Sequence, residues 1–382
     1  MKAKEPNELA ANLKLIPTPY HFVEYAKKQL TNLGYVELLE TNDWDTIPNK
    51  FFVIRNNSSI FAINKADLTH GLIIKSNSDS PCFRCTSDLT SKIRTIPTGE
   101  IYASTWVDRD LKIAGRAKIK EGDKRVEKLF YSTYPCAKIT SCGLKISSSS
   151  PLRSNYNIET SFTALNNKFY LHAKNPITKL ISSELNCTVS DLIDTETYFV
   201  DSQEPSIIGI DETIFASSRI DNLVPSLCAL EAFLQSAPKT GLIGLVIFGN
   251  IHKNFVPDVL HRVGATRPFM ANTTFLALRC FNAYHPNYNE LFNEIAKIRI
   301  GDGIVFSRNN CDIRTVSKIK ECAMRHGIEM HESDEIETKN ETEMKVMEIG
   351  IPILARHSAR ETCAVDDIGE LKKLLCNVVN EF

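Results

Sequence analysis

A CxxC pair, an aspartate at the head of an apolar helical run and a histidine flanked by arginines are the groupings in this chain that invite a chemical reading. Cys82 and Cys85 could supply half of a tetrahedral zinc site. A structural zinc there needs two further thiolates or imidazoles, and no second Cys or His pair stands nearby, so two half-buried thiols is the better reading. The 11 cysteines are an odd number, awkward for a complete disulfide framework. The charged segment from Met1 to Asn12 has no apolar signal-peptide core, so the thiols read as reduced and the protein as cytoplasmic. Asp221 sits just before a helical run, where aspartate commonly caps the helix. His357, next to Arg356 and close to Arg360, reads on its own as a hydrogen-bonded surface or interface histidine.

These groups need a scaffold, and 382 residues can bury a large core as one big domain or two intimate ones. Apolar residues make up 43% and charged residues 24%, ordinary for a soluble globular protein. Lys and Arg number 45 against 46 Asp and Glu, a net charge of −1, which gives no basis for a nucleic-acid or membrane-surface partner. The longest apolar runs, such as 242–248, are strand-sized and well short of the roughly 20 residues a membrane helix needs.

Helical spacing over 20–33 carries Phe22, Ala26 and Leu30 on one face, and β-like runs follow at 51–55, 60–64 and 71–75. Between about 80 and 208 the chain is β-branched and divided by Ser, Asn and Pro, with strands expected at 101–107 and 112–120 and a loop at 147–154. Beyond Asp211 strands alternate with helices. Helices are expected at 222–235 (with Pro225 in the first turn), 291–298, 316–325 and 371–379. Strands are expected at 242–248, 273–280 and 346–353. The Glu-rich stretch 331–345 reads as a solvated loop. This pattern predicts an α/β sheet with helices on both faces, interrupted by a β-rich insertion. The division is 1–82 and 209–382 for the discontinuous α/β domain, and 83–208 for the insertion.

Five segments in order carry more specific information. They are Ser78-Asp79-Ser80-Pro81-Cys82-Phe83-Arg84; Ser104-Thr105-Trp106-Val107-Asp108-Arg109-Asp110-Leu111 leading into Ile113-Ala114-Gly115-Arg116; Ser218-Arg219-Ile220-Asp221-Asn222-Leu223; Ala283-Tyr284-His285-Pro286-Asn287-Tyr288; and Gly350-Ile351-Pro352-Ile353-Leu354-Ala355-Arg356-His357-Ser358-Ala359-Arg360-Glu361. Through them the chain resembles the M18 aspartyl aminopeptidases over nearly its whole length. The resemblance implies a zinc-exopeptidase-like α/β/α domain with a mixed central sheet, interrupted by a β-rich dimerisation domain. It also implies assembly into a tetrahedral dodecamer and metal-dependent removal of N-terminal Asp or Glu from peptides.

A two-metal hydrolase needs roughly five His, Asp or Glu ligands around ions about 3.5–4 Å apart, and a free carboxylate to take a proton from the attacking water. Matched to the family, the first ligand position holds Asn77, although the aspartate that should orient it is retained as Asp79. The bridging carboxylate is retained as Asp221. The general-base position holds Ile251, which cannot accept a proton, and the adjacent ligand position holds His252. The next ligand position holds Arg279, a cation with no lone pair to offer. The last ligand is retained as His357, and a histidine that the family contributes from a neighbouring subunit is replaced near Lys145.

The resemblance therefore implies the scaffold without the two-metal centre. Asp221, His252 and His357 remain as a set for one zinc, with Arg279 standing in part for the second cation. The expected function is that of an inactive pseudopeptidase, an oligomer that binds itself, a protein partner or an intact paralogue. The alternative is a divergent single-zinc aminopeptidase with an unrecognised base. Replacement of a pocket-shaping family segment by the Glu-rich stretch also argues against an acidic substrate, because like charges repel.

Overall fold

The computed structural model describes residues 4–87, 92–140, 162–164, 175–249, 254–292, 297–307, 311, 313–333, 335 and 346–382, with the backbone alone at 4–6, 87, 92 and 162–164. Ile251, His252, Lys145 and the loop expected at 147–154 lie outside these residues.

The run Leu242–Phe248 is apolar at nearly every position because it is the middle of a sheet covered on both sides. It pairs antiparallel with Ser59–Lys65 and parallel with Gly71–Asn77. From there the parallel series continues through Thr273–Asn282 to Val346–Ile353. Short strands at both edges complete a mixed sheet of nine strands. The helix Ile220–Leu234 lies across one face with almost every residue buried, packed against the closing helix Val365–Glu381. The helix Ile313–Arg325 turns Val316, Ile319, Cys322 and Ala323 into the same core at three- and four-residue spacing. The opposite face is covered by Phe255–Arg262 and Arg267–Ala271. The fold is α/β with a mixed central sheet, as expected.

A second sheet of seven strands is built from residues between Cys82 and Asp201. Its strand Leu192–Asp201 pairs with both Cys82–Ser87 and Asp110–Glu121, so the sheet closes on itself. Inside, Phe83 and Trp106 meet edge to face at 5.4 Å beside Ile113 and Phe199.

The local expectations need three corrections. The strand expected at 101–107 is a 3-10 turn, Ala103–Trp106, because Trp106 folds inward onto Phe83 instead of extending along a neighbour. The helix expected at 291–298 is not found at its described residues. Leu291 ends the 3-10 turn Pro286–Leu291, and residues 297 and 298 are not helical. The stretch 331–345 is not simply a solvated loop: Met330–Glu332 pairs with Ile304–Ser307, and Glu335 reaches inward.

Candidate functional site

The four parallel strands Gly71–Asn77, Leu242–Phe248, Thr273–Asn282 and Val346–Ile353 point the same way, so their carboxyl ends open on one crevice, the usual place for a site in such sheets. A cavity of about 660 Å³ lies there. Its wall includes Asn77 and Asp79 after the first strand, Asp221, Arg279, Glu335, Glu348, Arg356 and His357, with Thr98 to Glu100 arriving from the second sheet.

Asp221 precedes the regular part of its helix; its own φ of −82° and ψ of 108° are not helical. Ser80 Oγ donates to its carbonyl at 2.7 Å, and the Asn222 amide reaches the Leu278 carbonyl at 2.7 Å, so the segment is pinned between the loop after Gly71–Asn77 and the strand Thr273–Asn282. The carboxylate turns into the cavity. Its Oδ2 accepts from Arg356 Nε at 2.7 Å and lies 3.1 Å from His357 Nε2. Burial by itself would raise this carboxyl, but the His357 hydrogen bond and the Arg356 charge hold it below its ordinary value.

His357 is carried on a loop at φ +64° and is held by its backbone. Its N–H donates to Glu361 Oε1 at 2.7 Å, and its carbonyl accepts from the Tyr102 N–H at 2.9 Å. Ala359 N–H donates to Thr105 Oγ1 at 2.8 Å, so the 3-10 turn of the second sheet buttresses the histidine loop of the first. Glu361, fully buried, also accepts from the Asp221 N–H at 2.8 Å and so aligns both groups. Burial and the nearby charge of Asp221 push the Glu361 carboxyl up.

Arg279 projects from its strand with its side chain 7% exposed. It donates to Glu348 at 3.0 Å, whose side chain is 4% exposed, and to Glu335 at 2.8 Å. Arg279 pairs with Gly350 across parallel strands. A Cβ on Gly350 would fall 1.6 Å from the Arg279 carbonyl oxygen, so glycine permits the register that sets Arg279 diagonally beside Glu348. Glu335 Oε1 accepts from Arg279, from Arg356 at 3.1 Å and from the Asn282 amide at 3.0 Å. Asp221, Arg356, Glu335, Arg279 and Glu348 thus form one chain of alternating charge along the cavity.

Asp79 opens onto the same cavity but has protein close on most sides. That crowding, with the charge of Asp221, pushes its carboxyl up to about 6. Asn77 ends its strand, and its carbonyl accepts from Ser226 at 2.7 Å.

Of the residues singled out from the sequence, Asn77, Asp79, Asp221, Arg279 and His357 converge on the cavity, while Ile251 and His252 lie outside the described residues. Asp221 contacts Arg356 and His357 and makes no helix cap. Arg356, Glu335, Glu348 and Glu361 were not anticipated as parts of the site. Glu361 and Arg356 stand within a matched segment, but nothing in the order of residues tells that Arg356 folds back onto Asp221. Cys82 and Cys85 lie on the strand Cys82–Ser87 as free thiols, without a metal-type cluster around them among the described residues.

Asp221 and His357 provide two donors, and a zinc at Asp221 would compete with Arg356 for the same oxygen. Of the other carboxylates in the wall, Asp79, Glu100, Glu335 and Glu348, the last two are engaged by guanidinium groups that carry permanent charge and no lone pair. A catalytic zinc normally takes three protein ligands.

A family model described as "Aminopeptidase I zinc metalloprotease (M18)" matches residues 13–243. The probable M18 family aminopeptidase 2 of Clostridium acetobutylicum is 27% identical over 419 residues, spanning 94% of this chain and 96% of that protein. Among solved structures, the complex of Ape4 and Nbr1 superposes with a TM-score of 0.89 at 21% identity, covering 98% of this chain and 85% of that one. The mApe1 dodecamer of S. cerevisiae gives a TM-score of 0.83 at 19% identity, covering 98% and 96%. At these identities the structural matches speak for the fold.

Proposed function

The chain belongs to the M18 aminopeptidase family, and we propose that it is a pseudopeptidase of that family, keeping the scaffold without hydrolysing peptides and acting as an oligomeric or partner-binding protein. One observation carries this reading: in the cavity, Arg279 and Arg356 are tied to Asp221, Glu335 and Glu348, the carboxylates that would otherwise be free to balance metal charge. A guanidinium neutralises a carboxylate, but it cannot activate water. Ile251 at the general-base position adds a second defect, since loss of a general base typically costs about 10²–10⁴-fold in rate.

On this reading residues 1–82 and 209–382 form the peptidase-like unit, and 83–208 form the unit through which chains dimerise and build larger assemblies. The similar mApe1 forms a dodecamer and the similar Ape4 forms a complex with Nbr1, which supports both self-association and a protein partner. An intact paralogue in a mixed assembly is a third kind of partner; its recovery with this chain would distinguish a regulatory subunit from a free-standing binder.

A second reading is a single-zinc aminopeptidase using Asp221, His252 and His357. The 3.1 Å approach of His357 to Asp221, and the raised carboxyl of Asp79 in the same cavity, favour it. Zinc per chain after loading and buffer exchange separates the two, measured in the wild type and in Asp221→Asn/His357→Gln. We expect equal zinc in both, and no chelator-sensitive release of N-terminal Asp or Glu from peptides. A zinc that the double variant loses, together with chelator-sensitive turnover, would overturn the first reading.

A further inference from the structure

On the far side of the core, the helix Ile313–Arg325 ends beside the last turn of the helix Val365–Glu381. Cys322 and His326 are four residues apart, the spacing that sets two side chains over one another on a helical turn. Glu381 comes to them from the neighbouring helix. His326 Nε2 is 2.7 Å from Glu381 Oε1, and the Cys322 sulfur, an imidazole nitrogen and a carboxylate oxygen all lie within 4.8 Å of one another. From this geometry we propose that Cys322, His326 and Glu381 bind one zinc-class divalent ion, with water as fourth ligand, and that the ion clasps the two helices together.

The chemistry of the donors selects the ion. One thiolate, one imidazole and one carboxylate suit the borderline-soft, tetrahedral zinc, whereas magnesium and calcium ask for oxygen alone. Bonds of zinc to these atoms place neighbouring ligand atoms about 3.5 Å apart, so three donors already within 4.8 Å need only side-chain adjustment. Charge also closes. Thiolate and carboxylate together bring −2, which a divalent ion neutralises; the thiol proton leaves to solvent as the sulfur–metal bond forms.

The surroundings keep the ligands ready. The His326 hydrogen bond and then Arg325 hold the Glu381 carboxyl down at about 2, so it is ionised throughout the physiological range. Arg325 engages Glu381 Oε2, which leaves Oε1 turned toward His326. Burial, reinforced by Glu381, pushes the Cys322 thiol up to about 11, so without metal it stays protonated as a donor to the carboxylate. His326 is half-buried, and an ion can enter from its side. Among the described residues the wall of the cavity above has no cysteine, so a sulfur band would not come from Asp221 and His357, and its loss in Cys322→Ser would assign it to this cluster.

Cobalt(II) chloride titrated into the full chain tests the proposal by absorbance. The expected result is a thiolate-to-cobalt charge-transfer band with the intense visible bands of tetrahedral cobalt, saturating at one equivalent and displaced by zinc. Cys322→Ser should lose the charge-transfer band. Because Cys322 is buried, His326→Gln provides a second variant whose fold is checked by circular dichroism. It should bind cobalt and zinc more than about tenfold more weakly, since even outer-shell changes cost that much. Absence of a sulfur band at saturating cobalt, or an undiminished band in both variants, would overturn the assignment.

Discussion

The sheet-edge cavity and the cluster at the ends of the two helices both gather groups that bind metals, but their charges are balanced differently. In the cavity the balancing cations belong to the protein: Arg356 lies on Asp221, Arg279 on Glu348, and Glu335 holds both arginines. At the helix ends a single arginine touches one oxygen of one carboxylate, and the thiol still carries its proton. On the two proposals made above, the types of ligating residue present would be a poor guide to whether metal binds. What matters is whether the negative charge is already neutralised by side chains that cannot leave.

The largest expected effect comes from removing one of those built-in cations. Arg279→Met takes away the guanidinium that donates to the buried Glu348, and breaking a buried pair from one side costs about 3–5 kcal/mol. Urea denaturation should register that loss, and Arg279→Met/Glu348→Met should recover most of it. A single variant as stable as wild type would mean that Arg279 does not balance the cavity.

Arg356→Met sharpens the comparison by freeing Asp221 Oδ2. If arginine is what excludes metal, this variant should take up zinc at least about tenfold more tightly than the unchanged cavity, measured in a Cys322→Ser background so that the helix-end cluster does not contribute. Unchanged affinity would place the obstacle elsewhere in the donor set.

The smallest effect separates two carboxylates of one cavity. Asp221 has an arginine beside it and titrates below its ordinary value, whereas crowding and the charge of Asp221 raise Asp79 to about 6. A carboxyl raised on folding holds its proton more tightly in the native state. Its contribution is complete at pH below its unfolded value and is lost as pH rises through about 6. Stability should therefore fall slightly between pH about 4 and 6, and Asp79→Asn should flatten that part of the profile. Because Asp79 faces solvent in the cavity, the change is small. An identical slope in the variant would show that another group is responsible.

Much of the scaffold was legible in the chain. The uninterrupted apolar run Leu242–Phe248 announced a strand covered on both faces, and the three- and four-residue spacing around Val316 announced an amphipathic helix. Misreadings fell where a single contact outweighs local pattern. Residues 101–107 look like a strand, yet burial of Trp106 against Phe83 winds them into a turn.

The order of residues by itself determined the family likeness, the alternation of strands and helices after Asp211, and, through that likeness, the expectation that Asn77, Ile251 and Arg279 stand at positions for ligands and a base. Those are statements about residue identity, and identity is complete in the sequence. Only the tertiary structure decided that Glu335 bonds both arginines, that Arg356 shares an oxygen of Asp221 with His357, and that Cys322 meets Glu381. Each joins elements far apart in the chain, and electrostatic balance depends on distances of a few ångströms that sequence spacing does not encode.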